Sequence, residues 1–126
     1  MEKKIFQSKK LPSTKAPYSQ AIIYEPFIFV SGQVAFDPEK KSVVKGTIED
    51  ETELALNNLK TILEEAGSSL EKVLKVTVFL TDMEEFQRFN EIYKKFFCEE
   101  PPARSCVEVK SLPFNAKVEI EAIAYL

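Results

Sequence analysis

The 126-residue chain contains no histidine. That absence removes Ser-His-Asp and Cys-His nucleophilic sites, His-ligated zinc and histidine general bases, so any chemistry must come from Glu, Asp, Lys, Arg, Tyr, Cys or the backbone. Cysteine is nearly as scarce. Cys98 and Cys106 do not form a C-x-x-C pair, and two thiols alone make a poor metal site. The N-terminal stretch MEKKIFQSKK lacks the apolar core of a secretory signal, so the expected location is the cytoplasm and the expected state of both cysteines is the reduced thiol. No apolar run is long enough to span a membrane. Arginine is also rare: of 17 basic residues only Arg88 and Arg104 are arginine. A chain that uses lysine almost everywhere is expected to keep arginine where a planar, always-charged donor fork matters.

What is present describes a folded chain. Apolar residues make up 44% and charged ones 29%, with a net charge of −3 that argues against a nucleic-acid-binding surface. Length and the lack of repeats or linkers predict one domain over 1–126. Residues 1–7 read as a short edge strand, and the proline-bounded stretch 9–19 as a loop. Residues 20–24 and 27–34 read as a hairpin about Glu25-Pro26, followed by a solvated loop from Asp37 to Gly46. Helical spacing of Ala55, Leu56, Leu59, Ile62 and Leu63 predicts a helix over 48–66, with Thr47 as N-cap and Gly67 just past its end. A β-branched strand follows at 72–81. Asp82-x-x-Glu85 resembles a capping box opening a second helix, 83–97, with Phe86, Phe89, Tyr93, Phe96 and Phe97 on one side. Two alternating strands, 103–110 and 117–125, are joined by a turn at Pro113-Phe114-Asn115. The order β-β-β-α-β-α-β-β predicts an α+β fold, a mixed sheet with two helices on one face.

Strand alternation sorts the side chains into two faces. An aliphatic face of Ile28, Val30, Leu74, Val76, Val78, Leu80, Val107, Val109, Val118, Ile120, Ala122 and Ala124 belongs under the helices. The other face carries Phe27, Phe29, Ser31, Gln33, Thr77, Phe79, Arg104, Cys106, Glu108, Glu119, Glu121, Ile123 and Tyr125. Such a mixture suits a subunit interface that holds a polar pocket; the alternative is a solvated face with scattered phenylalanines.

Arg104, delivered to a strand by Pro101-Pro102, either clamps a carboxylate bidentately or pairs with Glu119 or Glu121 on a neighbouring strand. Glu119 and Glu121 either place a water and exchange protons or bridge to Lys110 or Lys117. Tyr18 hangs over a pocket or is packed in its loop. Ser31-Gly32 allows close backbone approach to a ligand or marks a bulge. Cys106 is a pocket wall or a small buried hydrophobe, and Asn90 reaches a neighbouring subunit or lies exposed.

Together, Ala16-Pro17-Tyr18-Ser19-Gln20-Ala21, Val30-Ser31-Gly32-Gln33, VTVFLTDM, FNEIYKKFF and above all PARSCVEVKSLPFNAKVEIEAIAY resemble the RidA (YjgF/YER057c/UK114) family over nearly the whole chain. The resemblance implies a chorismate-mutase-like fold, assembled as a homotrimer with pockets at the subunit interfaces. It implies hydrolysis of reactive enamines and imines, such as 2-aminoacrylate/2-iminopropanoate and 2-iminobutanoate, to 2-oxo acids and ammonia, with no cofactor or metal. Carried over by position, Arg104 would bind the substrate carboxylate and Glu119 would position water. Gly32 and Cys106 would hold the ligand through their backbone, while Tyr18, Ser31 and Asn90 would line the pocket. A non-catalytic sensor of small carboxylates is the alternative, and an endoribonuclease a third. Lys15-Ala16 and Ala35 depart from the family's frequent residues without removing a pocket residue.

Overall fold

The computed structural model describes residues 2–126. Its strands are β1 (Lys4–Phe6), β2 (Ala21–Tyr24), β3 (Phe27–Gln33), β4 (Phe36–Asp37), β5 (Ser42–Val43), β6 (Val73–Leu80), β7 (Ala103–Glu108) and β8 (Val118–Tyr125). The helices are α1 (Ile48–Glu65) and α2 (Phe86–Phe96). Six strands form one mixed sheet in the order β1-β2-β3-β8-β6-β7, antiparallel except for the parallel β6–β7 pair. Both helices cover one face, as the α+β reading expects. No described helix is long and apolar enough to cross a membrane.

Local chemistry explains most boundaries. Thr47 caps α1 through a reciprocal box with Asp50. At the other end Gly67 takes φ 94°, which lets its N–H donate to Glu64 O and the Ser68 N–H to Leu63 O, closing the helix as a Schellman motif. The Asp82 box does not form. Asp82 Oδ1 accepts from the Glu84 N–H and caps a single 3₁₀ turn, Met83–Glu85, while the Glu85 carboxylate lies 3.7 Å from Arg88; α2 begins only at Phe86. The loop predicted over 37–46 contains the small β4–β5 hairpin instead, in which Phe36 pairs with Val43 and the buried Asn58 amide of α1 donates to Val34 O and Phe36 O.

The core lies between sheet and helices and includes Ile28, Val30, Val76, Val78, Leu80, Val118 and Ile120, packed on Leu56, Leu59, Ile62 and Phe89. Burying such side chains contributes about 1.5–3 kcal/mol each. Three parts of the predicted face assignment fail. The register shift between Val30 and Gln33 pairs Gln33 with the inward Ile120, so Gln33 leaves the outer face. A register shift between Val73 and Lys75 puts Val73 in the core and leaves Leu74 outside. On β7 the whole phase is opposite. Arg104 pairs with Val76, Cys106 with Val78 and Glu108 with Leu80, so these three share the helix side, whereas Val107 is 45% exposed and Val109 is only partly buried. Edge position explains the slip: an outer strand's valines need not face the core when one partner strand and one helix form its whole environment.

Candidate active site

The sequence-predicted residues gather into two groups. The first is built on α2 and β7. Phe86, Phe89, Asn90 and Tyr93 follow the i, i+3, i+4, i+7 spacing that puts side chains on one helix face. They present three rings and one amide to the edge strand. Arg104 Cζ lies 4.7 Å from the Tyr93 ring centroid, 5.5 Å from Phe86 and 5.7 Å from Phe89. Its Nη1 donates to Asn90 Oδ1 at 2.9 Å. The rings attract the guanidinium through their π faces and Asn90 fixes one of its donors. Among the described residues no carboxylate pairs with Arg104. The predicted alternative, an ion pair with Glu119 or Glu121, fails because β6 lies between β7 and β8. Cys106 is next on the same side, where burial pushes its thiol pKa up against the opposing pull of Arg104. Burial likewise pushes the Tyr93 hydroxyl up to about 12, and this hydroxyl has no partner among the described residues.

The second group forms where β3 meets β8. Ser31 is tied down twice, its N–H donating to Gln20 O at 2.9 Å and its hydroxyl to Ser19 O at 2.7 Å. The pairing of β3 with β8 shifts register between Val30 and Gln33, which frees Gly32 from the ladder. The Glu119 side chain crosses in front of that glycine. A Cβ at Gly32 would come 2.6 Å from Glu119 Cδ and 2.8 Å from Cγ, so any other residue would displace the carboxyl. Burial raises the Glu119 pKa, and the neighbouring Glu121 raises it further. Neither glutamate bridges to Lys110 or Lys117; Lys117 faces the buried Glu51 instead, at 3.7 Å.

Beside Gly32 opens a cleft of about 600 Å³, with Tyr18 on its rim and Gln33, Val34, Phe36 and Phe114 among its walls. The β4–β5 hairpin supplies part of it. These walls, like the aromatic cradle under Arg104, are absent from the sequence-predicted site. The cradle's signal was the helical spacing about Asn90, there read only as an aromatic side of the helix. The hairpin's signal was the apolar pair Phe36 and Val43 inside a lysine-rich stretch. Among the described residues no group of three His, Cys, Asp or Glu is arranged to hold a metal ion.

Arg104 and Glu119 do not meet within one chain. Their strands are two sheet spacings apart, roughly 10 Å, and their side chains leave opposite faces: Glu119 pairs with the outward Phe79, Arg104 with the inward Val76. The outer face carries Phe27, Phe29, Phe79, Ile123 and Val107, with Phe27, Phe29 and Val107 exposed. Arg104, Cys106 and Glu108 do not belong to it.

A family profile described as Endoribonuclease L-PSP matches residues 8–126. The chain is 49% identical to a RutC family protein of Pyrococcus abyssi over 99% of its own length and 98% of that protein's. It is 43% identical to the 2-iminobutanoate/2-iminopropanoate deaminase of Mus musculus, over 97% and 90% of the two chains. The crystal structure of E. coli TdcF with bound serine superposes with a TM-score of 0.90 at 39% identity, covering 98% of both chains.

Proposed function

This chain belongs to the Endoribonuclease L-PSP family, the RidA/YjgF proteins, and from that membership we propose that it is an imine deaminase. Its substrates are small 2-imino acids and their enamine tautomers, 2-aminoacrylate/2-iminopropanoate and 2-iminobutanoate, and its products are the 2-oxo acids and ammonia. The observation that carries the reading is Arg104: a guanidinium set among three rings, one donor held by Asn90, with no carboxylate of its own among the described residues. Its remaining donors match the two oxygens of an α-carboxylate. The serine bound in TdcF is a ligand of the same α-amino carboxylate type.

The imine carbon is already electrophilic, so the protein has only to orient it and deliver water. Glu119 takes a proton from that water as its oxygen bonds to the imine carbon, giving a carbinolamine. Glu119 returns that proton to the nitrogen. The carbinolamine hydroxyl then gives up its own proton through Glu119 to the nitrogen as its oxygen becomes the carbonyl, the C–N bond breaks, and ammonia leaves the 2-oxo acid. A carboxyl whose pKa burial has raised is suited to both taking and returning a proton. Because Arg104 and Glu119 are separated in one chain, the complete site takes Arg104, Asn90 and Cys106 from one copy and Tyr18, Ser31, Gly32 and Glu119 from the next. A head-to-tail contact makes a ring where its rotation closes, and a homotrimer is the ring we propose, with the apolar outer sheet face covered.

The test is pyruvate release from 2-aminoacrylate made in situ by a serine dehydratase. The wild-type protein should accelerate it. Glu119→Gln should bind pyruvate nearly normally yet lose most hydrolysis, since only the chemical step is touched. A wild-type protein that binds the acid without accelerating release is a sensor. The family's description favours ribonuclease as the second reading, against the net charge of −3, and RNA cleavage that survives Glu119→Gln and Arg104→Lys would establish it.

A further inference from the structure

We propose that Phe114 is a specificity-determining residue of the cleft, selecting 2-imino acids with branched or aromatic side chains over the three-carbon imine. The proposal rests on the deaminase reading and adds to it a side-chain preference.

Phe114 stands in the left-handed region, φ 60° and ψ 19°, and is followed by Asn115 at φ 58°. Asparagine tolerates that conformation; a bulky aromatic adopts it against steric resistance. Packing into the core does not compensate, because Phe114 is 68% exposed. The turn is nevertheless held, by Pro113 and by the Asn115 and Ala116 N–H groups donating to Leu112 O and Pro113 O, both at 3.2 Å. A ring kept exposed on a strained, pinned turn points to use rather than packing. It faces the cleft that Tyr18 and Gly32 also line, five residues before Glu119 of β8.

The rest of the cleft is chemically consistent. Leu11, Val34, Phe36 and Val43 line it with Phe114, and its volume of about 600 Å³ far exceeds what a three-carbon acid fills. Cavities of this size with mainly apolar walls and a few polar groups hold larger ligands. With the carboxylate and imine at the Gly32 end, an alkyl or aryl side chain would extend along these walls and against the Phe114 ring. Lys41 and Lys45 also line the cleft, and both are exposed. They make an acidic side chain the competing preference.

The test compares imines made in situ by an amino-acid oxidase from alanine, leucine and aspartate, together with binding of pyruvate, 4-methyl-2-oxopentanoate and oxaloacetate by calorimetry. The wild-type protein should favour the leucine-derived imine and its 2-oxo acid. Phe114→Ala and Phe114→Asn, the second suited to the left-handed backbone, should each lower the leucine-to-alanine ratio of kcat/KM by about tenfold. An unchanged ratio, a wild-type preference for the aspartate-derived imine, or loss of assembly as the sole effect of both variants would overturn the proposal. If no imine is hydrolysed the deaminase reading fails, while the calorimetric ratio still decides whether Phe114 selects apolar acids.

Discussion

The two arginines of this chain occupy opposite situations. Arg88 lies on the exposed side of α2 with its carboxylate already supplied: Nε and Nη2 donate to the two Glu49 oxygens at 2.8 and 2.7 Å, tying α2 to the first turn of α1. That pairing, with the hydrogen bond from Arg88 as its largest cause, holds the Glu49 pKa down to about 2. Arg104 has the same fork, but rings around it and an amide beside it, and no acid among the described residues. The glutamates differ correspondingly. Glu49 is pulled toward its charged form by a partner, whereas Glu119 is pushed toward its neutral form by burial and a like charge. One pair is a finished tie between helices. The other two lie on opposite faces of the sheet, two strands apart, and meet only in the proposed assembly.

The comparison breaks most readily at Arg104. Arg104→Lys keeps the charge but loses the planar fork, and should cost about 1–3 kcal/mol in affinity for pyruvate, with most imine hydrolysis. Wild-type behaviour in calorimetry and turnover, with assembly intact, would make Arg104 as structural as Arg88. Asn90→Ala should cost less, about 1 kcal/mol for the lost hydrogen bond. It should appear mainly in KM, because Asn90 orients Arg104 and does not touch the reacting carbon.

Glu119→Gln tests the other half through stability. The Glu119 pKa is raised in the folded chain, so its contribution is full below the ordinary carboxylate range and is lost as pH rises through the raised value. Urea melts should therefore show the variant equal to the parent in acid and more stable at neutral pH; a constant difference across that window would refute the raised pKa. Arg88→Lys should have the smallest effect. It removes a bidentate but solvent-exposed tie, so turnover and ligand affinity should not change measurably.

Much of this arrangement was legible in the sequence because it rests on local chemistry. Thr47, Gly67 and the alternation of β3 up to Val30, of β6 from Lys75 on and of β8 act within a few residues, and the structure bears them out. The family motifs also pointed to Arg104, Asn90 and Cys106 of the first group and to Tyr18, Ser31, Gly32 and Glu119 of the second, but not to the aromatic cradle or the hairpin walls. What the sequence concealed depends on partners distant along the chain. The helix-side placement of Arg104 follows from parallel pairing of β7 with β6, not from the valines at 107 and 109. Likewise the failure of the Arg104–Glu119 pair follows from β6 lying between their strands. The hairpin at β4–β5 was hidden by its shortness and its lysines, since two-residue strands carry almost no alternation to read.

The place of β8 bears on how the protein is made. It follows every other element in chain order, yet it lies in the middle of the sheet, between β3 and β6. During synthesis the β1–β2–β3 meander and the β6–α2–β7 crossover therefore emerge as two unjoined halves, each with an open strand edge where β8 will later insert. Joining β3 to β8 closes a loop of most of the chain, an entropically slow step. Until then the nascent chain carries the aggregation hazard of exposed strand edges. The strand that brings Glu119 to the site is thus also the one that completes the fold.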